Sequence, residues 1–469
     1  MLKIMKTIMK TNNIVRAAAV AVCVASLSSC HIYNKFDMPT DTQLTSDYVQ
    51  AKESGIDSTS LGNLLWQEVF TDPQLYALIQ RALDANTDLQ NAKLNVDIAN
   101  AQLQGARLSY LPSLSLAATG SRAYNQHTGW AEWSYNIPVQ ASWEVDIFGK
   151  ILNSKRRAKA ALMQTKAYEQ AVRSQIIGAV ANCYYSIAMI EKQLEISRKT
   201  SVYWKETVEI MKNFKQAGRV NETAVVQSTA NYYSILASIT DLEVSLHQAN
   251  NSMALLLNVS TPDWTIPADA VLTLPVEMSD GVKMSQLAAR PDVQAAEQAV
   301  AVAYYATNQA RAAFYPGLTI SATGGFTNQL GNYIVNPATW FANLAGSLTA
   351  PLFARGQLIS NLKAAKAQQE QTMNNFQHTL LSAGTEVSEA LVLYTKSNEK
   401  QQLINQQVVN LEKAVEYTQE LLALDGTSTY LEVITAQQSL LQAQLSQAAC
   451  RNTMARAGIS LYQSLGGGR

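Results

Sequence analysis

Residues 133–147 read WSYNIPVQASWEVDI, and the interpretation of the whole chain starts from this stretch. Odd positions from Trp133 to Ile147 are apolar and rich in aromatic and β-branched side chains, whereas even positions carry mainly amides, hydroxyls and carboxylates. This period-two alternation predicts a strand with one apolar and one polar face. A run of fifteen residues is long beside the roughly five or six residues usual in soluble sandwiches. The pattern favours a membrane β-barrel strand, with a soluble sandwich strand as the alternative.

The polar face of this strand supplies the first candidate functional residues. Asn136, Gln140, Glu144 and Asp146 all occupy even positions. In a membrane barrel, alternate side chains face lipid and the polar interior. We therefore expect these four side chains to line the lumen, and we expect Val139 on the opposite face to contact lipid.

Composition limits the possible classes of protein. The chain has 469 residues, and after the N-terminal leader it contains no apolar run of 18 or more, so helical membrane spans are excluded. Charges balance at 36 basic and 36 acidic residues, and the four basic residues of the leader, once removed, leave 32 basic residues against 36 acidic. This balance gives no basic surface for nucleic acid.

No enzymatic motif is present in the sequence. The four His residues lie far apart without metal-ligand spacing, and there is no glycine-rich phosphate loop or nucleophile elbow. We therefore expect no enzyme, no metal and no cofactor. Outside the leader region, Cys183 and Cys450 each stand alone in helical patterns, which indicates small core residues rather than a disulfide framework.

The N-terminus has the pattern of a bacterial secretory signal. Basic residues precede an apolar segment at about 14–27, which leads into Ser28-Ser29-Cys30. Small residues directly before Cys resemble the lipobox of bacterial lipoproteins. The resemblance implies a signal peptide of residues 1–29 and acylation of Cys30; an ordinary signal peptide with an incidental Cys is the alternative. His31 is not the Asp that resembles an inner-membrane retention signal, so outer-membrane delivery is favoured.

The residues that follow the leader suggest a tether and then a helix. Residues 30–64 are polar and rich in turn formers, and they predict an extended lipid-anchored tether. Asp72 suits a helix N-cap and Pro73 the first helical position. Apolar residues then recur at spacings of three and four to about Ser109, which predicts one long helix.

An internal duplication organises the remaining chain. Arg107 and the Pro112–Gly120 pattern recur 204 residues later as Arg311 and Pro316–Gly324. Each copy reads as helix, two strands, a very long helix, a turn and a helix. At 1.5 Å rise per residue, the longest helices would span roughly 100 Å. The predicted segments are a first repeat at 65–258, with strands at about 113–124 and 131–147 and helices at about 150–217 and 222–258; an equatorial segment at 259–284; a second repeat at 285–463, with strands at about 317–328 and 339–352 and helices at about 356–424 and 430–462; and a tail at 464–469.

Four membrane strands cannot close a barrel within one chain. An open strand edge in lipid would leave backbone groups unpaired at several kcal/mol each. The chain must therefore oligomerise, and an even strand total permits two, three or four copies.

Several motifs in order give the chain a family resemblance. They are Asp72-Pro73 and the helix after it, Trp143–Gly149, Arg290–Val293 with Ala310–Pro316, Pro351–Phe353, and Tyr430–Val433 with Ala436-Gln437. With these motifs the chain resembles the outer-membrane efflux proteins, the TolC-like channel-tunnels. Within them it is similar to the lipoprotein branch that works with resistance-nodulation-division pumps.

The resemblance implies a homotrimer whose twelve strands form one barrel in the outer membrane. A coiled-coil α-helical tunnel would continue the barrel through the periplasm, with an equatorial domain around it. Such a protein conducts substrates passively from an inner-membrane pump and a periplasmic adaptor. The alternatives are a channel of a type I protein or peptide secretion system and a lipid-anchored coiled-coil rod that does not conduct.

The same resemblance assigns candidate residues at the periplasmic end. The turns after Ala217 and Leu424 correspond to the tips that meet the adaptor, which implicates Gly218, Arg219, Gly426 and Thr427. Glu432 matches a family position that rings the tunnel entrance, so we expect it to narrow the entrance and to favour cations. The alternative is that its carboxylate only complements a helix dipole. Two other acidic positions of the family are Thr435 and Ala224 here, which leaves at most a single Glu ring.

Overall fold

The structure is a computed structural model that describes residues 31–53, 61–275, 284–330, 333–424 and 430–468. The chain divides into two compact units. The strand unit contains residues up to Met38, Asp97–Gln164 and Ala296–Phe376; the helical unit contains Pro39–Val96, Thr165–Ala295 and Gln377–Arg469. Among the described residues, every helix is too short or too polar to cross a bilayer.

Helices contribute most of the described residues, and the two repeats follow the same order of elements. The helices are α1 (Gln43–Glu53), α2 (Trp66–Val69), α3 (Pro73–Ala85), α4 (Thr87–Leu108), α5 (Lys150–Gln216), α6 (Glu222–Leu256), α7 (Met284–Ala288), α8 (Pro291–Ala312), α9 (Gln357–Leu424) and α10 (Tyr430–Ser464). The strands are β1 (Ser113–Leu116), β2 (Thr119–Ser121), β3 (Tyr124–Asn125), β4 (Gly129–Trp130), β5 (Ser134–Val145), β6 (Gly317–Leu330) and β7 (Tyr333–Thr349). Helices α5 and α9 have 67 and 68 residues.

The helix predicted from Asp72 to Ser109 is two helices, so this prediction is wrong. Asp72 does begin α3, because its Oδ1 accepts the N–H of Gln74 at 2.8 Å. The break lies at Asn86, whose backbone is extended and whose Oδ1 accepts the N–H of Asp88 at 2.9 Å. An Asn side chain that bonds the following backbone ends one helix and caps the next.

The prediction of an extended tether at 30–64 is wrong for its described part within the helical unit. Residues 43–53 form α1, in which Tyr48 is fully buried. Leu61 is also buried, and the Tyr462 hydroxyl donates to the carbonyl of Leu64 at 2.9 Å. Apolar burial therefore folds this segment onto the core of the helical unit.

Residues 467 and 468 of the predicted C-terminal tail pack into the helical unit. Ser174 Oγ donates to the carbonyl of Gly467 at 2.6 Å, and Gln170 Nε2 donates to that of Gly468 at 2.9 Å. A Cβ at Gly467 would lie 2.4 Å from the Tyr462 ring. Only glycine therefore lets the backbone lie against this ring.

The core of the helical unit is built from large side chains of both repeats. Its fully buried members include Tyr48, Trp66, Phe70, Leu75, Tyr184, Trp204 and Tyr462. The Tyr184 hydroxyl donates to Asp72 Oδ2 at 2.6 Å. The pKa of Tyr184 is raised, mainly because the side chain is buried and also because of this hydrogen bond. The segment proposed as equatorial is attached to this unit through an Arg81–Asp263 ion pair at 2.8 Å.

One antiparallel sheet, in the order β1-β5-β6-β7, carries the strands of both repeats. The strand predicted at 113–124 is interrupted in the structure: β1 and β2 pair with β5 in the same register, but Ala117 and Ala118 between them do not belong to a strand. Opposite Ala117 lies Pro138, whose carbonyl accepts the N–H of Ala117 at 3.2 Å. Pro138 has no N–H to donate in return, so one bond of the ladder is missing there. Beyond β2, the chain leaves the sheet as the short β3–β4 ribbon.

Candidate functional site

One face of the sheet is polar across the strands. Residues paired across neighbouring strands share a face, so the register shows which side chains lie together. The polar rows are Thr119, Asn136, Thr327 and Thr339; Ser115, Gln140, Thr323 and Asn343; Ser113, Ser142 and Ser321; and Glu144, Thr319 and Ser347. One row on this face, Pro138 with Gly325 and Phe341, is apolar. Asn136, Gln140 and Glu144, which the sequence identified, therefore share one face with hydroxyl and amide side chains, and the apolar row of Pro138 separates Asn136 from the other two.

The opposite face of the sheet is apolar and uncovered in the single chain. Eight of its large side chains are 41–75% exposed, namely Leu114, Leu116, Val139, Trp143, Phe326, Trp340, Leu344 and Leu348. A contiguous apolar surface of this kind marks contact with a membrane or a partner. Because the other face is polar, this one is suited to contact lipid.

Both edges of the sheet are open in the described part of the chain. β1 and β2 pair with β5 alone, and β7 pairs with β6 alone. Unpaired backbone groups are costly in lipid, so a sheet with an apolar outer face needs further strands at both edges. The chain provides a segment of a barrel and not a closed one.

Asp146 does not belong with the polar rows, which corrects its assignment from sequence. β5 ends at Val145, and the carboxylate of Asp146 caps α5. Its Oδ1 accepts the N–H of Ile151 at 3.0 Å and its Oδ2 accepts that of Leu152 at 2.7 Å. These backbone groups point at the carboxylate because the first turn of a helix leaves its N–H groups without intrahelical partners.

The first tip turn is a defined helix end. The N–H of Arg219 donates to the carbonyl of Phe214 at 2.9 Å, and the N–H of Gly218 donates to that of Lys215 at 3.0 Å. These two bonds form a Schellman motif, with Gly218 at φ +73° in the left-handed position that such a motif requires. A Cβ at Gly218 would meet nothing within 4 Å, so backbone conformation and not space selects this glycine.

Side chains fix the first tip turn to the helices on both sides. The Arg219 guanidinium lies 5.7 Å from the centre of the Phe214 ring. Lys215 forms an ion pair with Glu222 across the turn. Asn221 then caps α6 by accepting the N–H of Ala224 at 3.3 Å. The described tip is therefore an ordered surface that presents Arg219.

Part of the predicted entrance lies outside the described residues. Gly426 and Thr427 belong to that part. The lipidation candidate Cys30, which is not an entrance residue, also lies outside the described residues. Glu432 is described: its side chain is exposed in the first turn of α10. Thr435, one turn further, uses its hydroxyl to donate to the carbonyl of Leu431 at 2.7 Å.

A buried cluster beneath the tips was not identified from the sequence. Trp204 of α5, Ile235 of α6 and Ile434 of α10 pack together, and Trp204 is fully buried. Trp204 Nε1 has no hydrogen-bond partner among the described residues. In the sequence Trp204 is one more apolar position of α5, and only the packing of three helices shows that it contacts Ile434, two residues after Glu432.

Arg290 holds three elements of the helical unit together, which the sequence motif did not indicate. Its guanidinium, 7% exposed, donates to Asp292 at 2.7 Å, to Glu386 at 2.6 Å and to the carbonyl of Ser464 at 2.9 Å. Burial opposes its charge, but the bonds to Asp292 and Glu386 outweigh this effect and raise the pKa of Arg290. The arrangement satisfies a buried cation and leaves little capacity for a ligand.

The described residues contain no group of three or more His, Cys, Asp or Glu placed to hold a metal ion. The two described thiols are separate. Cys183 Sγ donates to the carbonyl of Ala249 at 3.3 Å, and burial raises the pKa of Cys183 to about 11. Cys450 is buried, and burial raises its pKa as well.

Known proteins resemble the chain over most of its length. The cation efflux system protein CusC of Escherichia coli O157:H7 is 27% identical over 458 residues, which cover 95% of this chain and 97% of that protein. The probable outer membrane lipoprotein SilC of Salmonella typhimurium is 27% identical over 86% of this chain and 88% of its own length. The solved structure of the open state of the Neisseria gonorrhoeae MtrE outer membrane channel has a TM-score of 0.77 and 27% identity, over 88% of this chain and 94% of that one.

The family comparison confirms the main predictions from sequence. The model of the outer membrane efflux protein family matches residues 78–259 and 284–467, which are the two repeats. The comparison confirms that the chain combines membrane strands with long helices and that it is located in the outer membrane. It also confirms a role as an efflux channel rather than an enzyme. The chain belongs to the outer membrane efflux protein family.

Proposed function

We propose that three copies of this chain form one twelve-stranded barrel that serves a resistance-nodulation-division pump through a periplasmic adaptor. The observation that carries the proposal is the open sheet, apolar and exposed on one face and polar on the other. Two open edges per chain allow β7 of one copy to pair with β1 and β2 of the next. Three copies give an even strand total and pair every edge.

The polar rows of the sheet line the lumen in this proposal. Asn136, Gln140 and Glu144 offer amide and carboxylate groups beside the hydroxyls of β6 and β7. Such a wall interacts with water without a dense fixed charge, because Lys150 pairs with Glu144 at 2.8 Å. The lumen is thereby suited to passive passage of solutes whose energy of transport comes from a partner.

Cys30 carries the lipid anchor in this proposal, and the acyl chains insert in the outer membrane. The lipobox-like Ser28-Ser29-Cys30 supports this assignment. The relative SilC is itself named a probable lipoprotein. Mass spectrometry of the mature N-terminal peptide tests it, since acylation adds a defined mass to the peptide that begins with Cys30.

The adaptor contacts Gly218 and Arg219 at the first tip and Gly426 and Thr427 at the second. Arg219 suits contact because its turn is ordered and its guanidinium lies on the Phe214 ring. A photo-crosslinking amino acid at position 219, in cells that contain the native pump, should capture the adaptor. The matched control is position 255 at the other end of α6, where the Leu255 side chain is 80% exposed.

The captured partners decide which pump the channel serves. Capture at 219 but not at 255 of an adaptor that co-purifies with a resistance-nodulation-division pump is the expected result. Co-purification with an ATP-driven secretion protein would assign the channel to protein or peptide export instead. Equal capture at 219 and 255 would remove the tip from the contact surface.

Glu432 forms a ring of three carboxylates at the entrance in this proposal. Its exposed side chain in the first turn of α10 supports this placement. Because close carboxylates concentrate cations, Glu432→Gln should weaken block of the pore by multivalent cations. If Glu432 only complements the helix dipole, the substitution lowers stability slightly and leaves the cation block unchanged.

A further inference from the structure

The β3–β4 ribbon lies at the end of the sheet opposite to the long helices. α4 leads into β1 and α5 follows β5, so the helices join the sheet at the end where Ser113 pairs with Ser142. β2 and β5 pair as far as Ser121 and Ser134, and the ribbon continues from there. Because the long helices extend from the outer membrane into the periplasm, the ribbon lies on the outer side of the membrane.

The lipid-facing side of the sheet continues into the ribbon. Gly120 lies on the apolar face of β2. The N–H of Ala131 donates to the carbonyl of Ala123 at 2.8 Å, so antiparallel pairing continues beyond β2. Arg122 and Tyr124 are the next two even positions of the same strand. Since side chains alternate along a strand, both of them face the lipid side.

Arg122, Tyr124 and Trp130 form one cluster on this side, which we name the rim cluster. Between the last pair of β2 with β5 and the Tyr124–Trp130 pair, the returning strand has one more residue than the outgoing strand. Such a bulge turns Trp130 to the side of Tyr124. The Arg122 guanidinium lies 5.3 Å from the centre of the Trp130 ring, and the two rings lie 5.3 Å apart at 61°. The Tyr124 and Trp130 side chains remain 63% and 60% exposed.

Hydrogen bonds hold the rim cluster in place and leave its ring faces open. Arg122 Nε donates to the carbonyl of Ala131 at 2.8 Å. Among the described residues, its hydrogen-bond and ring contacts are this carbonyl and the Trp130 ring, so Nη1 and Nη2 can donate to an anion. Asn328, which is fully buried, accepts the N–H of Tyr135 at 2.7 Å and thereby fixes the base of the ribbon to β6.

The height of the rim cluster corresponds to the layer of lipid headgroups. From Val145 to Tyr135 the strand rises about 33 Å along its own axis. A strand tilt of about 40° reduces this rise to about 25 Å, which is the height of the apolar band of a membrane barrel. Tyr124 lies four residues beyond Gly120, the partner of Tyr135, and is therefore about 10 Å outside the apolar band. At this height lipids present sugars and phosphates and not acyl chains.

The chemistry of the rim cluster suits a phosphorylated sugar. A guanidinium presents paired N–H donors that match the oxygens of a phosphate. The face of an aromatic ring carries partial negative charge and attracts the C–H groups of a sugar ring. The outer leaflet of a bacterial outer membrane consists mainly of phosphorylated glycolipid. The second hairpin, residues 317–349, contains no charged residue, so this combination belongs to the first repeat.

We propose that Arg122, Tyr124 and Trp130 bind the phosphorylated sugar headgroup of the outer-leaflet glycolipid. The guanidinium binds a phosphate, and the Trp130 ring packs against the adjoining sugar. The inference rests on the barrel proposed above, because lipid-facing strands bring the cluster to the headgroups. Three such sites around the trimer attach the outer rim of the barrel to the surrounding leaflet.

Native mass spectrometry of the full-length trimer in detergent tests the proposal, with purified lipopolysaccharide that carries only core sugars as the probe. The wild type should bind up to three copies. Arg122→Gln and Trp130→Ala should each weaken binding by about tenfold. Glu132→Gln removes a negative charge from an exposed position of the same loop and is the matched control, which should bind at least as tightly as the wild type. Equal affinity in the wild type, Arg122→Gln and Trp130→Ala would overturn the site.

A probe without phosphate separates the effect of charge from any change in folding. Lipopolysaccharide treated with phosphatase should bind the wild type about tenfold more weakly than the intact probe. Arg122→Gln should bind the two probes equally. The wild type serves as its own reference here, so the comparison holds even where Arg122→Gln disturbs the ribbon. Equal binding of both probes by the wild type would overturn the phosphate contact, and binding of neither would overturn the whole site.

Conduction in planar phospholipid bilayers without glycolipid separates the site from the barrel on which it rests. The wild type should conduct in these bilayers and should bind the intact probe in detergent. Conduction without binding would overturn the glycolipid site and leave the channel intact. Absence of conduction would overturn the proposed barrel, whatever the trimer binds in detergent.

Discussion

Arginine at Val139 should prevent insertion of the channel into membranes, whereas arginine at Gln140 should not. Both residues lie near the middle of β5, which spans Ser134–Val145, and they point to opposite faces of the sheet. Val139 is 49% exposed on the apolar face and pairs with Leu116 and Gly324. Gln140 pairs with Ser115 and Thr323 on the polar face.

The magnitude follows from the cost of arginine on the lipid side of a barrel. Near the bilayer midplane this cost is about 2–4 kcal/mol per side chain. A trimer contains three copies, so Val139→Arg should cost about 6–12 kcal/mol per trimer. This cost is comparable to the whole stability of a typical folded domain, about 5–15 kcal/mol. Gln140→Arg keeps its charge in water and should cost little by comparison.

The assay is insertion into phospholipid vesicles followed by urea titration. Val139→Arg should leave little inserted trimer, and any inserted fraction should unfold at lower urea concentration than the wild type. Gln140→Arg should insert like the wild type and alter only the ion selectivity of the pore. Normal insertion of Val139→Arg, or an equal defect in both variants, would refute the assignment of the two faces.

Two further predictions concern the tip turn and a buried thiol. Gly218→Ala should lower the free energy of unfolding by about 1–2 kcal/mol because Gly218 has φ +73°. The control Gly105→Ala lies within α4, where a Cβ meets no other atom, and should raise the free energy of unfolding by about 1 kcal/mol. Urea titrations in which both variants change the free energy of unfolding in the same direction would contradict this account of the turn. Burial raises the pKa of Cys183 to about 11, so at pH 8 less thiolate forms in the native trimer than in the unfolded chain, and alkylation of Cys183 should be slower there. Peptide mass spectrometry measures the rate, which should rise in the native trimer as the pH is raised towards 11. Equal alkylation rates in the native and denatured protein at pH 8 would contradict the burial.

The alternation of Trp133–Ile147 was sufficient to predict the two faces of β5, because side-chain direction in a strand depends on local geometry alone. The effect of Pro138 was not predictable in the same way. Pro138 cannot return the hydrogen bond that Ala117 donates to its carbonyl, and the position of Ala117 opposite Pro138 depends on register between distant segments. Asp146 was misassigned for a related reason: one more residue of alternation hid the start of a helix that its carboxylate caps.

Features that depend on contacts between distant residues were missed or mistaken. Asn86 looked like one polar position on a helix, but its side chain ends α3 and caps α4. The segment after the leader looked like a free tether because the groups that hold Ile32 are on α5, more than a hundred residues away. A sequence pattern shows which residues prefer to be buried, and the fold decides what they are buried against.

Conduction by the purified mature protein tests the central claim most directly. Extracted in detergent and added to planar lipid bilayers, it should produce discrete single-channel steps, and cross-linking should show three chains per particle. The two-faced open sheet demands this outcome, since its edges and its exposed apolar face are stable only in a closed barrel in lipid. Protein that stays in solution without detergent and never raises the conductance of the bilayer would contradict the account.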